Sequence, residues 1–421
     1  MQSDWPTATL GELTINLDTK RRPVKEADRR SGPYPYYGAS GIVDHVDGFL
    51  FEGEHLLIAE DGENLRTRNT PVAFRATGRF WVNNHAHIVK GNGLARTRFL
   101  EYAVLAADLT PYLTGAVMPK LTQGNLNKIE LPCPPLKAQD AVIGVLGSLD
   151  DRIALLRQTN ATLESIAQAL FKSWFIDFDP VRAKAEGREP EGMDPATAAL
   201  FPAEFVESAL GLIPSGWNVE PIGDLVDAVG GSTPDTKNSI FWEPAVHHWT
   251  SPKDLSGATS PVLLDTERKV SAAGLAKISS GLLPAGTLLM SSRAPIGYLT
   301  LTQVPVAINQ GYIAMLPGGR LPPIYLYFWC KANMEGIKGH ANGSTFMEIS
   351  KKAFRPIPAL LPQQPVIDGF IAIAGALFER LVANEQQARA LTELRDTLLP
   401  RLISGKLRLP EAEREIEEAL A

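Results

Sequence analysis

The 421-residue sequence contains only two cysteines, Cys133 and Cys330. Their separation matches neither a metal-binding spacing nor a disulfide framework, so we expect both to be packed as small apolar side chains in a reducing compartment. Long apolar runs are also missing, since the longest, 371–378, is far too short to span a bilayer. The N-terminus has no basic region followed by an apolar run. We therefore expect no secretion signal and a soluble, cytoplasmic protein.

The motifs of the common nucleotide-binding and hydrolytic enzymes are absent. The sequence has no Gly-x-x-x-x-Gly-Lys-Ser/Thr loop, no Gly-x-Gly-x-x-Gly, no Gly-x-Ser-x-Gly and no His-Glu-x-x-His. His85 and His87 alternate along a predicted strand, which places them on opposite faces and argues against a shared metal site. We expect no catalytic residues, no metal and no cofactor. A hydrolase with an unrecognised site stays open, because a missing motif is weak evidence.

The charge balance is unevenly distributed along the chain. The net charge of −6 argues weakly against a nucleic-acid partner. However, the segment 411–421 contains five Glu and one Arg, so much of the negative charge lies in an acidic tail. The distribution of charge, rather than its sum, must therefore decide whether the protein binds DNA.

One stretch of sequence occurs twice, at 121–175 and 349–403. Apolar positions coincide without a gap when the copies are aligned, as in Leu121 with Ile349 and Leu149 with Leu377. The region before each copy also has the same start, Trp5-Pro-Thr-Ala-Thr-Leu10 in one half and Trp217-Asn-Val-Glu-Pro-Ile222 in the other. This repetition predicts two similar halves, each a domain followed by a helix.

The repeated stretch has the heptad pattern of a coiled coil. In the first copy apolar residues recur at alternating steps of four and three, and the second keeps this stripe with one irregular step. A narrow apolar seam needs a partner helix, so we predict that the two helices pair with each other. One Asn in each seam would destabilise the pair but fix its register. The predicted seam residues are Leu149, Ile153, Leu156, Asn160, Leu163, Leu170, Leu377, Leu381, Asn384, Leu391 and Leu398. The alternative is an ordinary packed helix whose Asn is locally solvated.

The predicted fold class is α+β, with two similar mixed α/β domains separated by two long helices that form an antiparallel coiled coil. The expected boundaries are 1–139 for the first domain, 140–178 for the first helix, 179–211 for a linker, 212–362 for the second domain, 363–405 for the second helix and 406–421 for the acidic tail. The sequence leaves open whether the linker is loosely ordered or contains a short helix around Pro195 to Leu200. We also expect 34–41 to be an exposed turn, His247 and His248 to lie in a loop, and Asp150 and Asp151 to lie on a solvated helix face.

Loop residues of the types that bind DNA recur at comparable places in both domains. Lys and Arg neutralise phosphates, Asn and Gln pair with adenine, Arg pairs with guanine, and aromatic rings pack against bases. The pair Asn83 and Asn84 follows a predicted strand, as does the pair Asn309 and Gln310. The candidates are Lys20, Arg21, Arg22, Tyr37, Arg66, Arg68, Asn83, Asn84, Thr233, Lys253, Arg293, Asn309, Gln310, Ser344, Lys351 and Lys352. Each alone is weak, because an exposed Lys or Arg is more often only solvated.

The length of the helices suggests how two such domains would be used. A helix over 142–175 would extend about 50 Å, which exceeds one turn of duplex DNA at roughly 34 to 36 Å. Two domains held by such a pair would read two separate half-sites, with the helix length setting the gap. Because the two domains differ in sequence, we expect the target to be asymmetric.

Several long motifs resemble those of a known family, the specificity subunits of type I restriction-modification systems. They are Leu170-Phe-Lys-Ser-Trp-Phe-Ile-Asp-Phe-Asp-Pro-Val-Arg-Ala-Lys-Ala-Glu-Gly-Arg-Glu-Pro-Glu-Gly-Met193, Leu394-Arg-Asp-Thr-Leu-Leu-Pro-Arg-Leu-Ile-Ser-Gly-Lys-Leu407, Tyr36-Tyr-Gly-Ala-Ser-Gly-Ile-Val43 and Gly343-Ser-Thr-Phe-Met-Glu-Ile-Ser350. The resemblance covers essentially the whole chain, except that the acidic tail is not part of the family pattern.

The resemblance implies a non-catalytic DNA-recognition subunit used in phage defence. Each of two target recognition domains would read half of a split asymmetric site in double-stranded DNA, with the helices as spacer. Two methyltransferase subunits would dock on the helices and domains, and restriction subunits would join through that complex. Adenine-N6 methylation and ATP-dependent cleavage would belong to these partners. The alternative is a DNA-binding scaffold of a related phage-defence system that does not use methylation.

Overall fold

The computed structural model describes residues 5–258, 260–343 and 347–420, with the side chains of 419 and 420 left out. The chain divides into two compact units, one comprising Met1–Leu155 and Ala388–Ala421 and the other Leu156–Gln387. Each unit contains one copy of the repeated domain and a part of both long helices. Within the described ranges, no helix combines the length and hydropathy that a membrane crossing requires.

The first unit contains two four-stranded sheets and a two-stranded ladder. Its elements are β1 (Thr7–Thr9), α1 (Leu10–Leu13), β2 (Thr14–Asn16), β3 (Ser31–Gly38), β4 (Gly41–Val46), β5 (Phe51–Glu52), β6 (His55–Ala59), α2 (Asn64–Thr67), β7 (Ala73–Ala76), β8 (Arg79–Val82), β9 (Ala86–Gly91), α3 (Thr97–Ala106), α4 (Gln123–Leu126) and β10 (Glu130–Pro132). The sheet orders are β2-β9-β6-β7 and β4-β3-β8-β5, and β1 pairs with β10. Leu57 faces Ile88 across β6 and β9, and both are buried in one core with Phe80.

Local sequence explains why these elements begin where they do. Thr9 forms a capping box with Glu12, because the Thr9 Oγ1 accepts from the Glu12 amide at 3.3 Å and the Glu12 carboxylate accepts from the Thr9 amide at 2.8 Å. All five residues of β6 are buried, and four of them, Leu56 to Ala59, form an uninterrupted apolar run that favours a covered strand. The covered faces of the sheets thereby hold the loops at their ends in fixed positions.

The second unit repeats this plan with one sheet of five strands and one of three. Its elements are α6 (Asp179–Ala185), α7 (Pro195–Ala199), β11 (Phe205–Ser208), β12 (Gly211–Pro214), β13 (Asn218–Pro221), α8 (Ile222–Leu225), β14 (Ala228–Val229), β15 (His247–Thr250), β16 (Val262–Leu263), β17 (Arg268–Val270), α9 (Ala272–Leu275), β18 (Leu288–Ser291), β19 (Leu299–Thr302), β20 (Ala307–Ile308), β21 (Tyr312–Met315), α10 (Pro323–Ala332), α11 (Met334–Gly339), α12 (Lys351–Phe354) and β22 (Pro358–Leu361), bounded by the long helices α5 (Leu136–Phe175) and α13 (Gln364–Ile403).

The sheet topology shows the duplication directly. The order β2-β9-β6-β7 of the first unit matches β14-β21-β18-β19 of the second, where β16 is added at the edge. The order β4-β3-β8 matches β17-β15-β20, and the parallel pair lies at the same place, β3 with β8 and β15 with β20. The predicted fold class of two similar mixed α/β domains with two long helices is confirmed.

The two long helices have 40 residues each and lie at equivalent positions of the repeat. The first begins at Leu136, directly after two prolines, and ends at Phe175. Phe178, which precedes α6, adopts a left-handed backbone with a φ of 56°. In the first unit the paired segments bury Leu149, Ile153, Leu391 and Leu398. The Arg395 guanidinium also donates to the Asp150 carboxylate at 2.8 Å, joining the two helices.

In the second unit the paired segments bury an amide pair between apolar residues. Leu156 and Leu381 are buried there, whereas Leu163, Leu170 and Leu377 are half-buried. Asn384 Nδ2 donates to Asn160 Oδ1 at 2.9 Å, and Asn160 Nδ2 donates to the Leu381 carbonyl at 3.2 Å. Sliding one helix along the other would leave these buried amides unpaired, so the pair favours a single register.

The acidic tail and the linker both contain helices. The tail forms α14 (Leu409–Leu420), whose Glu415 carboxylate accepts two hydrogen bonds of 2.8 Å from Arg401. In the linker, α7 begins after Asp194, whose carboxylate accepts from the Ala196 and Thr197 amides. Of the two alternatives left open for the linker, the structure shows the helical one.

Three local expectations from the sequence are wrong. The segment 34–41, expected as an exposed turn, lies largely in β3, where Tyr36 is buried and a bulge accommodates the irregular pairing. His247 and His248 lie in β15 rather than in a loop. Asp150 is not simply solvated, because it also accepts from the Tyr102 hydroxyl at 2.5 Å.

We predict that Asn160 and Asn384 are energetically coupled. Asn384→Leu alone should lower the free energy of unfolding by about 1 to 3 kcal/mol, since it leaves a buried amide oxygen without its donor. Adding Asn160→Leu should recover most of this loss, because two apolar residues then face each other. Urea denaturation of both single variants and the double variant measures the coupling, and strictly additive losses would contradict it.

Candidate nucleic-acid interface

In the first domain, loops that follow separate strands are tied together by backbone hydrogen bonds. The Asn83 amide donates to the Tyr37 carbonyl at 3.0 Å, and the Glu60 amide donates to the His85 carbonyl at 2.9 Å. The Leu121 amide then donates to the Glu60 carbonyl at 2.8 Å. We call residues 60–68, 83–85 and 114–120 the first loop surface.

The second domain joins its loops in the same way. The Asn309 amide donates to the Thr250 carbonyl at 3.0 Å, the Ser292 amide to the Gly311 carbonyl at 2.8 Å, and the Ile349 amide to the Ser292 carbonyl at 3.0 Å. We call residues 292–297, 309–311, 342–343 and 347–348 the second loop surface. The candidate Ser344 lies outside the described residues. The sheet ends of both domains therefore present equivalent sets of loops.

Asn83 and Asn309 build these loops. The Asn83 side-chain oxygen accepts from the His85 amide at 2.8 Å, and the Asn309 oxygen accepts from the Gly311 amide at 2.8 Å. This is the Asx turn, in which an Asn side chain closes a turn over its own backbone. Asn83 is also only 8% exposed. Both residues therefore fix the position of the residue that follows.

The residues that follow, Asn84 and Gln310, are exposed amides. Asn84 makes no side-chain hydrogen bond within the described ranges. Gln310 accepts a hydrogen bond of 2.8 Å from the Thr233 hydroxyl at its oxygen, and this contact leaves its amide N–H groups open. The two domains thus present one amide side chain each at an equivalent position.

Four of the candidate arginines have partners within the protein. Arg21 donates to the Glu60 carboxylate and the Ala86 carbonyl, both at 2.7 Å. Arg66 donates to the Gly115 carbonyl at 2.8 Å, and Arg293 lies 3.7 Å from the Glu348 carboxylate. Arg68 donates to the carbonyls of residues 105 and 107 at the C-terminal end of α3, where a cation is favourable. These arginines stabilise loops and a helix end.

The remaining basic candidates are exposed. Their side chains have no hydrogen bond or ion pair in the part of the chain that the structure describes, and these residues are Lys20, Arg22, Lys253, Lys351 and Lys352. Tyr37 differs from them because it is half-buried, with its ring centroid 5.8 Å from that of Phe74 and 5.7 Å from that of Phe80. Burial accordingly raises the pKa of Tyr37.

The two loop surfaces carry opposite charges at equivalent positions. Asp61 forms a backbone bridge with Lys120 in the first domain, whereas Arg293 forms the corresponding bridge with Glu348 in the second. Lys120 lies 3.3 Å from the Glu60 carboxylate, and Asp61 accepts from the His85 ring at 2.9 Å. The same backbone frame therefore presents different electrostatic patterns.

Sequence reasoning missed one exposed apolar loop tip. Val117 is 95% exposed and Met118 is 65% exposed, although both lie in a loop closed by the backbone bonds between Thr114 and Lys120 at 2.7 and 2.8 Å. Met347 in the second loop surface is 50% exposed. The repeat contains the signal that could have found this loop, because the segment 115–121 aligns with 343–349.

A buried ionic contact holds the base of the first loop surface. His87 Nδ1 lies 2.6 Å from one oxygen of Asp18, and the Ile88 amide donates to the other at 2.9 Å. His87 Nε2 donates to the Leu121 carbonyl at 2.7 Å. Burial by itself would raise the pKa of Asp18, but the hydrogen bond and charge of His87, with the Ile88 amide and Arg21, hold this pKa below its ordinary value.

The lowered pKa of Asp18 predicts acid sensitivity of the first domain. A carboxyl group with a lowered folded-state pKa contributes stability above its unfolded pKa of about 3.9, and this contribution is lost as the pH falls through the folded value. Asp18→Asn should therefore lower stability at pH 7 and flatten the loss below about pH 4. Urea midpoints between pH 7 and pH 3, with the exposed Asp47→Asn as control, measure this. If the urea midpoints of Asp18→Asn and of the natural protein fell by the same amount between pH 7 and pH 3, the prediction would be contradicted.

Comparisons with known proteins agree with the duplicated architecture. The family model described as the type I restriction modification DNA specificity domain matches residues 2–165 and again residues 214–373. The Type I restriction enzyme HindI specificity subunit of Haemophilus influenzae is 29% identical over 467 residues, covering 96% of this chain and 100% of the relative. The MjaIX specificity subunit of Methanocaldococcus jannaschii is 32% identical over 434 residues, covering 97% of this chain and 94% of the relative.

A solved structure shows the same fold. The S subunit of a type-I restriction-modification system from M. genitalium superposes with a TM-score of 0.55 at 16% identity, covering 95% of this chain and 96% of that one. At this identity the similarity supports the fold alone. Each family match covers one of the repeated domains and extends into the long helix that follows it.

Proposed function

The chain belongs to the family of type I restriction-modification DNA specificity subunits, and we propose that its two target recognition domains each read one half of a split asymmetric site in double-stranded DNA. The observation that carries this proposal is the occurrence of the same loop surface twice, with different side chains each time. A protein that read a symmetric site would need two chemically equal surfaces. Here Asp61 and Lys120 in one domain correspond to Arg293 and Glu348 in the other.

We assign base contact to Asn84 and Gln310. Both are exposed, and the preceding Asx turn holds each of them at the end of a strand. A primary amide has the donor and acceptor needed for a bidentate pair with adenine in the major groove. Asn83 and Asn309 position these amides indirectly, because their side-chain oxygens accept the hydrogen bonds that close the turns.

We assign phosphate contact to the exposed basic side chains. Lys20 and Arg22 flank Arg21, whose bond to Glu60 fixes this segment against the first loop surface. Lys253, Lys351 and Lys352 supply exposed positive charge in the second domain. Because their charges act on any DNA sequence, they would contribute affinity rather than base preference.

The helices would set the gap between the half-sites. A 40-residue helix extends about 60 Å, more than one turn of duplex. The buried amide pair of Asn160 and Asn384 favours one register, so the length of the spacer would be fixed.

The chemical steps would belong to partner subunits. In this proposal two methyltransferase subunits dock on the helices and domains, and restriction subunits join that complex in the cytoplasm. The specificity subunit itself is non-catalytic and directs adenine-N6 methylation and ATP-dependent cleavage to its site.

Single amide substitutions test this function because each should affect one half-site only. Asn84→Ala should weaken recognition of the first half-site by about 1 to 3 kcal/mol, and Gln310→Ala should do the same for the second, if each makes a bidentate pair. Methylation by the complex is measured on oligonucleotides with single changes in either half. Lys253→Ala serves as a control, since it should weaken binding evenly across sequences. Equal losses at both half-sites for either amide variant would contradict the proposal.

A further inference from the structure

In the first unit an arginine fills the groove where α3 packs on α5. The Arg98 guanidinium donates to the Gly147 carbonyl at 3.2 Å and to the Asp151 carboxylate at 3.0 Å. A Cβ atom at position 147 would come within 2.7 Å of the Arg98 Cζ atom, so a side chain there would displace the guanidinium from its present position. The groove thus has a glycine floor, an acidic rim and a cation between them.

The second unit repeats this groove with a different residue in place of the arginine. Alignment of α3 with α10 places Ile324 at the position of Arg98, and alignment of the long helices places Gly375 and Glu379 at the positions of Gly147 and Asp151. The contact one helical turn further along also changes from polar in the first unit to apolar in the second. The Tyr102 hydroxyl donates to Asp150 in the first unit, whereas rings of Phe328 and Phe378 meet at 5.8 Å in the second.

The repeated groove is open in the second unit. A cavity of about 700 Å³ lies there, and its walls include Leu301, Pro323, Ile324, Ile371, Phe378 and Glu379. Among the described residues, a Cβ built on Gly375 would meet only the Ile371 Cγ2 beyond its own helix backbone, at 3.9 Å. Glu379 is exposed and has no ion pair within the described ranges. The glycine floor and acidic rim are therefore present without an internal cation.

We propose that this cavity binds an arginine-bearing segment of a partner protein, with the guanidinium over Gly375 and paired with Glu379. The first unit shows that a guanidinium fits a groove of this design, and the negative charge of Glu379 is complementary to a cation. An arginine is favoured over a lysine because its planar group donates to a helix carbonyl and a carboxylate at once. The apolar walls then cover the stem of the arginine and its neighbours.

The proposal rests on the proposed function in one respect, the identity of the partner as a subunit of the restriction-modification complex. It names a contact on the domain and helix of the second unit that is separate from the loop surface assigned to DNA. Occupation of this cavity would therefore leave the DNA surface of the second domain free.

Ile324→Arg tests the partner site, because it places an internal arginine where Arg98 lies in the first unit. The variant should keep the circular dichroism spectrum and thermal midpoint of the natural protein. Its Kd for the purified methyltransferase subunit of the same system should rise at least tenfold. Glu379→Gln should raise this Kd as well, whereas Ile324→Leu and the exposed Glu335→Gln should not. Equal Kd values for Ile324→Arg, Glu379→Gln and the natural chain would overturn the assignment of the partner.

A second measurement examines the cavity without any partner protein. L-argininamide should shift the methyl NMR signals of Ile324 and Ile371 in the full chain, and lysinamide should shift them less. Glu379→Gln should abolish the shift. Absence of a shift with the natural chain, or an equal shift with Glu379→Gln, would overturn the cation site. Failure of the natural chain to bind the methyltransferase subunit would contradict the proposed function, while the argininamide measurement would still decide the site.

Discussion

The architecture depends on the burial of two narrow apolar seams, because neither long helix has a broad enough apolar face to be stable alone. Within each unit the segments of α5 and α13 bury their seams against each other, and a polar side-chain pair also joins them. This pair is Arg395 with Asp150 in the first unit and Asn160 with Asn384 in the second. The domains are attached to these segments through α3 and α10. Within each unit, the positions of the loop surfaces on their sheets therefore depend on a core that the helices support.

The duplication keeps the backbone and changes the chemistry. Both domains tie their loops with the same three backbone hydrogen bonds, although the charges on the loops are reversed. The packing of each domain on its long helix also keeps the backbone arrangement and changes the side chains. Arg98 and Tyr102 of the first unit correspond to Ile324 and Phe328 of the second. Backbone bonds fix a frame without depending on side-chain identity, and for this reason two surfaces of different specificity can share it.

Much of the fold could be predicted from the sequence because periodicity reports burial. The heptads predicted two long helices that pack together, and the ungapped repeat predicted two like domains. Strand β3 was missed since its two glycines and two prolines favour a turn, and only pairing with β4 and β8 makes it a strand. The sequence predicted less well which side chains of the two loop surfaces are exposed and which have partners within the protein. Arg68 and Lys20 look alike in a sequence, yet Arg68 donates to carbonyls at a helix end while Lys20 is exposed. Which Asn closes a turn and which faces solvent likewise depends on neighbours distant in the chain.

The central claim is that one chain specifies two unlike half-sites at a fixed separation. Modified-base sequencing of the host genome, with the gene for this chain intact and deleted, tests it most directly. The account predicts a methylated motif with two specified segments of unlike sequence, separated by a gap of fixed length and free sequence, which disappears on deletion. A contiguous or palindromic motif, or methylation unchanged by the deletion, would contradict it.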